Sequence, residues 1–309
     1  MSASLSAQSL YSEKPWTRWP RLVDLRAMTP AFEDLPLAPE GPPGNAWGRF
    51  GDQDELGTLN LITPDTIVRA AKEIQTGVRI SLDWLLSKPS HPSFGRKGFQ
   101  QEIVHRSPNC INDDILTFNT QGYSQWDGFR HYGKNEFIRS TWAATKHLEI
   151  QPLSSTPITV ESLEAMVKDF QIEIHPGDIL LIRSGFTAAY NELNEQERIN
   201  LAQRPSPDFI GVEATENMLR WLWKYQFGAV AGDAPSFERA PIRGPHADPR
   251  YNLHEWVLAG WGCPIGELFD LERLSQHCRA TGRYTFFLSS VPLKVPGGVA
   301  SPPNAIAVF

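Results

Sequence analysis

The order of apolar periods predicts an α/β protein built as one domain around a mixed sheet. Two kinds of strand recur: an alternating one at Val78–Trp84 and a continuously apolar one at Ile179–Ile182. Amphipathic helices fall between the strands, but irregularly, so a strictly repeating doubly wound pattern is not encoded. No internal repeat or low-complexity segment interrupts the 309 residues.

Residues 1–40 are rich in Pro, Ser and isolated aromatics without a period, and read as an N-terminal arm that orders by packing on the body or on a second subunit. The folded domain is expected over 41–309. Compact turns at Gly44–Gly48 and Gly51–Gly57 precede the first helix. There Thr63 is the cap, Pro64 takes the first helical position, Ile67, Ala70, Ala71 and Ile74 form the apolar stripe, and Gly77 ends it. From Ser87 to Asn109 no period survives, and a loop of that length is expected to be a lid or a partner-contact arm. Ile115–Thr120 reads as a buried strand.

Thr159 caps a second helix with Leu163, Met166, Val167 and Phe170 on one face. His175–Asp178 turns into the strand Ile179–Ile182. A polar helix over 188–203 and an amphipathic one bearing Ala214, Met218, Leu222 and Tyr225 lead to the strand Phe227–Ala231. A loop of about 20 residues, long by ordinary standards, precedes a helix near Asn252–Ala259 and a turn at Gly260–Pro264. Tyr284–Leu288 is the last strong strand, before a Pro/Gly-rich tail.

A net charge of -6 argues against nucleic-acid binding, which needs concentrated Lys and Arg. Cys110, Cys263 and Cys278 lack paired spacing, and a reducing, cytoplasmic setting is the simplest reading. Met1–Arg21 has no apolar run after a basic region, and no stretch approaches the ~18 apolar residues of a membrane span, so neither secretion nor a membrane partner is expected. Gly122-Tyr123-Ser124-Gln125-Trp126 has Trp where a nucleophile elbow needs its second Gly. Gly260-Trp261-Gly262 with Gly266 is one residue too long for a dinucleotide fingerprint, and no CxxC or HExxH occurs.

What remains is the run Gln121-Gly122-Tyr123-Ser124-Gln125-Trp126-Asp127-Gly128-Phe129-Arg130-His131, with His254 and Glu267 far downstream. In an extended strand Gln121, Gln125 and Asp127 share one face because the period is two, whereas Gly128 interrupts the alignment before His131. Carboxylate, carboxamide and imidazole together suit either a metal or an acid–base site. Taken singly, each is more often a satisfied turn or surface group. Glu255 is expected to face solvent, and Trp126, Trp256 and Trp261 to pack in the core. Asp233 and Ser236 either cap the next turn or orient a ligand histidine.

The central run resembles the signature of the cyclase family, which includes kynurenine formamidase- and isatin hydrolase-like metal-dependent hydrolases. That signature reads His-x-Gly-Thr-His-x-Asp-x-Pro-x-His. Asp127 and His131 match it, Gln121 and Gln125 stand where its first two histidines belong, and Tyr123, Ser124 and Phe129 replace its Gly, Thr and Pro. Supporting blocks are Trp47-Gly48 with Gly57–Leu61, Gly177–Gly185, and His254 through Glu267–Leu271. The Ser124-Gln125-Trp126-Asp127-Gly128 version resembles a distinct branch.

The resemblance implies a swivelling β/β/α fold, a homo-oligomer (dimer or tetramer), and hydrolysis of an amide, lactam or ester carbonyl in a small-molecule substrate, as in kynurenine formamidase. It implies Gln121, Gln125, Asp127 and His254 as metal ligands, His131 as the catalytic acid or base, and Glu267 as a catalytic partner at the distal end. The resemblance implies a divalent ion, manganese or zinc, or none; two carboxamides in place of imidazoles make the site oxygen-rich, which shifts preference toward manganese or magnesium and lowers affinity. Two alternatives stay open: a metal-free lyase, dehydratase or ring-closing enzyme using His131 as base, and a non-catalytic small-molecule binding protein.

Overall fold

The protein is described from a computed structural model, which covers residues 29–131, 151–206 and 208–309. Most of the expected N-terminal arm, residues 1–28, lies outside the described residues.

In chain order the strands are β1 (Arg79–Ser81), β2 (Gln100–His105), β3 (Asn112–Thr117), β4 (Gln125–Asp127), β5 (Pro157–Ile158), β6 (Ile179–Ile182), β7 (Gly211–Val212), β8 (Ala229–Gly232), β9 (Ile265–Glu267), β10 (Phe287–Ser290), β11 (Ala300–Ser301) and β12 (Ala305–Val308). The α-helices are α1 (Pro64–Ala71), α2 (Val160–Asp169), α3 (Phe186–Glu192), α4 (Glu195–Ala202), α5 (Glu216–Tyr225) and α6 (Glu272–Thr281). A π-helical segment spans His254–Gly260.

The central sheet has five strands in the order β11-β4-β9-β8-β6. It is mixed: β6, β8 and β9 run parallel, while β4 is antiparallel to both β9 and β11. The period of two divides its side chains between two cores. On one face Ile182, Val230 and Ile265 meet Met218, Leu219 and Leu222 of α5, Leu163 of α2 and Val257 and Leu258 of the π-helical segment. On the other, Ala231, with Leu181 and Trp126 packed at its edge, meets Ile80, Leu82, Ala305, Ala307 and Phe309. Those last residues belong to or flank the antiparallel sheet β1-β12-β10. The layers therefore run sheet, sheet, helices, which is the β/β/α arrangement the sequence implied.

Local chemistry sets the element ends. The Thr63 hydroxyl accepts from the Thr66 amide and Pro64 occupies the first helical turn of α1; Thr159 and Thr215 cap α2 and α5 in the same way. Ile80, Leu82 and Trp84 are buried while Arg79 and Ser81 are exposed, as the alternation predicts. The stripe on α1 does not go inside: Ile67 and Ile74 are exposed, because only Thr66 of this helix is buried. On α2, Leu163 is buried but Met166 and Phe170 are exposed.

Three expectations change. The region 87–109 is not all loop, since β2 within it pairs in register with β3 from Gln100↔Thr117 to His105↔Asn112. Neither is the segment beginning at Ile115 buried. All six residues of β3 are exposed, for among the described residues the hairpin pairs only with itself and no layer covers it. The polar helix over 188–203 is two helices, α3 and α4, divided where Asn194 caps α4 through a reciprocal capping box with Glu197. Residues 29–40 lie on the body: Trp223 donates its indole N–H to the Pro30 carbonyl, and Phe32 stacks on Trp256.

Candidate active site

Gln125 and Asp127 point to one side of β4, and the antiparallel register sets Gln125 directly opposite Glu267 on β9. Gln121 lies in the turn before β4 rather than on an extended strand, and its side chain folds back over the same side. After Gly128 the chain turns, with the His131 amide donating to the Gly128 carbonyl. His254 arrives from the first residue of the π-helical segment, a geometry that often re-aims a side chain at functional sites.

The sequence-predicted residues thus converge. Gln121 Nε2 donates to Asp127 Oδ1 at 2.5 Å, and Gln125 Nε2 donates to Gln121 Oε1 and Glu267 Oε2, both at 2.9 Å. His254 Nε2 lies 3.6 Å from Asp127 Oδ2 and 3.3 Å from Glu267 Oε1. The rings of His131 and His254 meet edge to face with centroids 6.0 Å apart. Asp127, His131 and His254 each present a donor atom, all within 4.8 Å of one another. Gln121, Gln125, Asp127, His254 and Glu267 are buried, whereas His131 is half-buried.

One site residue went unforeseen. Glu238, itself buried, sets both carboxylate oxygens 2.7–2.8 Å from His254 Nδ1. That contact fixes the imidazole so that Nε2 faces Asp127 and Glu267, the arrangement that orients histidines bound to metals. Asp233 does not share this role. It accepts from the Ser184 amide, the Ser184 hydroxyl and the Gly185 amide, so it caps the β6–α3 turn. Trp126, Trp256 and Trp261 are packing residues against Phe269, Phe32 and Trp223.

Three carboxylates and two imidazoles in one buried cluster perturb each other's protonation. Burial pushes the Glu267 carboxyl up to about 7, and the Asp127 charge adds to the rise while His254 opposes it. Burial alone pulls His254 down, but Glu238, with Asp127 and Glu267, outweighs it and holds the imidazole well above its ordinary value. His131 goes the other way, lowered mainly by burial against the opposing pull of Asp127.

The donor set fits a divalent cation. Asp127 Oδ2 and Gln125 Oε1 are buried acceptors that receive no hydrogen bond among the described residues, and Asp127 Oδ2 faces His254 Nε2. Buried acceptors of this kind call for a partner, and a carboxylate, a carboxamide oxygen and an imidazole suit manganese or zinc.

The family described as "Putative cyclase" matches residues 46–239, well over half of the chain. The chain belongs to the cyclase family. The matched stretch holds the Gln121–His131 run and Glu238, while His254 and Glu267 come from beyond it. A crystal structure described as a novel cyclase superposes with a TM-score of 0.71 at 28% identity, over 86% of this chain and 99% of that one. Isatin hydrolase A from Ralstonia solanacearum gives 0.57 at 16% identity, over 80% and 98% of the two chains. An isatin hydrolase bound to the product analogue thioisatinate gives 0.56 at 12%, over 80% and 99%. At those identities the likeness to the isatin hydrolases is one of cyclase-family fold. No curated protein matches the chain.

Proposed function

We propose that this cyclase-family chain is a metal-dependent hydrolase that cleaves the carbonyl bond of a cyclic or aryl amide, lactam or lactone. The observation that carries the reading is the set of donor atoms from Asp127, His131 and His254 within 4.8 Å, in a cluster with the buried carboxylates of Glu238 and Glu267. The isatin hydrolases that share the fold are hydrolases by name, which supports the same reaction class here.

Asp127 Oδ2, His254 Nε2 and Gln125 Oε1 are the groups to hold manganese or zinc. Gln121 has its amide N–H on Asp127 and its oxygen on Gln125, so it sets the angle of both. A bound divalent ion supplies Lewis acidity toward a carbonyl oxygen and a water. His131, held below the ordinary imidazole range, is neutral near pH 7 and takes a proton from the attacking water. It then returns that proton to the leaving nitrogen or oxygen, worth about 10²–10⁴-fold in rate. Glu267, near neutrality in its affinity for a proton, is the second acid–base group and is steadied by Gln125. Glu238 keeps His254 in the orientation this requires.

A second reading has its own support. Gln121 and Gln125 turn their N–H groups onto Asp127 and Glu267, hydrogen bonding both carboxylates without a cation. On that basis His131 and Glu267 would run a lyase, dehydratase or ring closure. Elemental analysis with turnover of aryl amides and lactones decides between them. Activity lost to chelator and restored by manganese or zinc upholds the first reading; full activity with no divalent ion present overturns it. His131→Ala abolishes turnover under either, whereas it only adjusts affinity in a protein that binds without catalysis.

No helix of the described residues is long and apolar enough to cross a membrane. We place the enzyme in the cytoplasm as a homo-oligomer, a dimer or tetramer. The β2–β3 hairpin, which no layer of the described residues covers, exposes Ile103, Ile115 and Leu116 and supports the assembly, because an isolated hairpin is marginal in water. Light scattering reads the subunit number, and a monomer would overturn it.

A further inference from the structure

We infer that Arg96 is the substrate-recognition residue of this site, and that it selects a substrate carrying a carboxylate. The inference rests on the hydrolase reading for the identity of the reacting carbonyl, but not for the binding itself.

Arg96 comes from the stretch 87–99 that precedes the hairpin, and it is brought to the cluster by an unusual piece of backbone. Phe94 and Gly95 adopt successive left-handed conformations, φ +62° and +66°. For a bulky residue such as Phe94 that region is strained, and strain of this kind persists where the surroundings hold a functional side chain in place. The Phe94 ring lies under the guanidinium, 4.7 Å from its carbon, and leans on Phe209 at 5.7 Å. Arg96 Nη1 donates to the Gln121 carbonyl at 2.5 Å, one residue from the start of the polar run and on the residue whose side chain holds Asp127.

The guanidinium is half-buried, yet no carboxylate among the described residues lies within ion-pair distance of it. Asp127 and Glu267 are close enough to act on it through space without touching it. A cation desolvated in this way, with Nε and Nη2 hydrogen bonded to none of the described residues, is poised for an anion. Its planar fork matches a carboxylate with two parallel hydrogen bonds. A substrate with its carbonyl at Asp127 and His254 places its carboxylate on Arg96, which is tied to the Gln121 carbonyl beside that cluster.

The test is binding of benzoate against benzamide, measured by calorimetry on the full-length protein as purified and again after chelation. Wild type should prefer benzoate in both states, and Arg96→Gln should lose about 10- to 100-fold in benzoate affinity while its benzamide affinity is unchanged. Arg96→Lys should recover part of the loss, and matched circular dichroism shows that the variants fold. With hydrolysable aryl amides in acid and carboxamide forms, Arg96→Gln should raise KM for the acid with little change in kcat. Equal benzoate affinity in wild type and Arg96→Gln overturns the assignment, as does a fall in kcat alone, which would instead put Arg96 on the reacting oxygen. If Arg96→Gln weakens benzoate but no amide or lactone is turned over, the recognition role stands and the hydrolase reading fails.

Discussion

Glu238→Gln is the sharpest probe of the centre, because it alters one charge and almost no volume. Both Glu238 oxygens sit 2.7–2.8 Å from His254 Nδ1, and the pair is buried. A hydrogen bond to a charged group is worth about 1.5–3 kcal/mol, and losing it corresponds to roughly 10- to 100-fold in an equilibrium constant. That is also the usual loss of metal affinity when the group behind a ligand histidine is changed. We therefore expect manganese or zinc to bind Glu238→Gln about 10- to 100-fold more weakly, with turnover falling in step at limiting metal. Competition titration against a calibrated chelator measures it.

Stability supplies an independent readout of the same substitution. The His254 imidazole is held above its ordinary value of 6.5 in the fold, burial notwithstanding, with Glu238 the leading cause of the rise. A group raised in this way contributes its full stabilisation below 6.5 and loses it as pH climbs through the folded value. In chelated protein the wild type should therefore exceed Glu238→Gln in denaturant stability by more at pH 6 than at pH 9. If metal affinity and the pH dependence of stability are both unchanged, Glu238 does not orient His254 and the proposed centre loses its support.

Further outcomes follow from the same geometry. His131→Ala should lower turnover of the cognate substrate by about 10²–10⁴-fold with an unaltered circular dichroism spectrum. Because the Glu267 carboxyl is pushed up to about 7 and must give up its proton beside a cation, metal affinity should rise as pH increases through 7, by up to about tenfold per pH unit for each proton released; flat binding isotherms from pH 6 to 8 would contradict this. Gly57→Ala should cost at least about 2 kcal/mol in denaturant melts, since the residue has φ +57° and a Cβ there would lie 2.0 Å from the Gly262 carbonyl oxygen. A fully stable Gly57→Ala would mean that the Gly57–Gly262 contact is looser than drawn.

The elements read most easily in advance are those whose information is local. Thr63-Pro64 marks the start of α1 and Thr159 that of α2, because a cap is a contact between near neighbours in the chain. Ile179–Ile182 stands out as a strand because both faces of it need apolar cover. β9, β11, β12 and α6 were not anticipated. The three strands are short, and each is a strand by virtue of its partners: β9 lies between β4 and β8, β11 beside β4, and β12 between β1 and β10. The segment beginning at Ile115 shows the converse, with strand-like residues that no other layer of the described residues buries.

The candidate site divides in the same way. Its central run was legible because Gln121, Gln125, Asp127 and His131 are close in sequence and match a signature, and His254 and Glu267 came with that resemblance. Nothing around Phe237-Glu238-Arg239 marked Glu238, and nothing in Ser93–Arg96 marked the cation there. Their roles are set by contacts across 16 and 25 residues of chain. By itself the sequence determined the membership, the layer types and most of the chemical inventory, since these depend on residue identity and short-range spacing. Only the tertiary structure decided which carboxylate holds His254, which one caps a turn, and where an arginine with no carboxylate partner among the described residues meets the cluster. Hydrogen bonds and charges act over a few ångströms in space, and a linear order of residues carries no such distance.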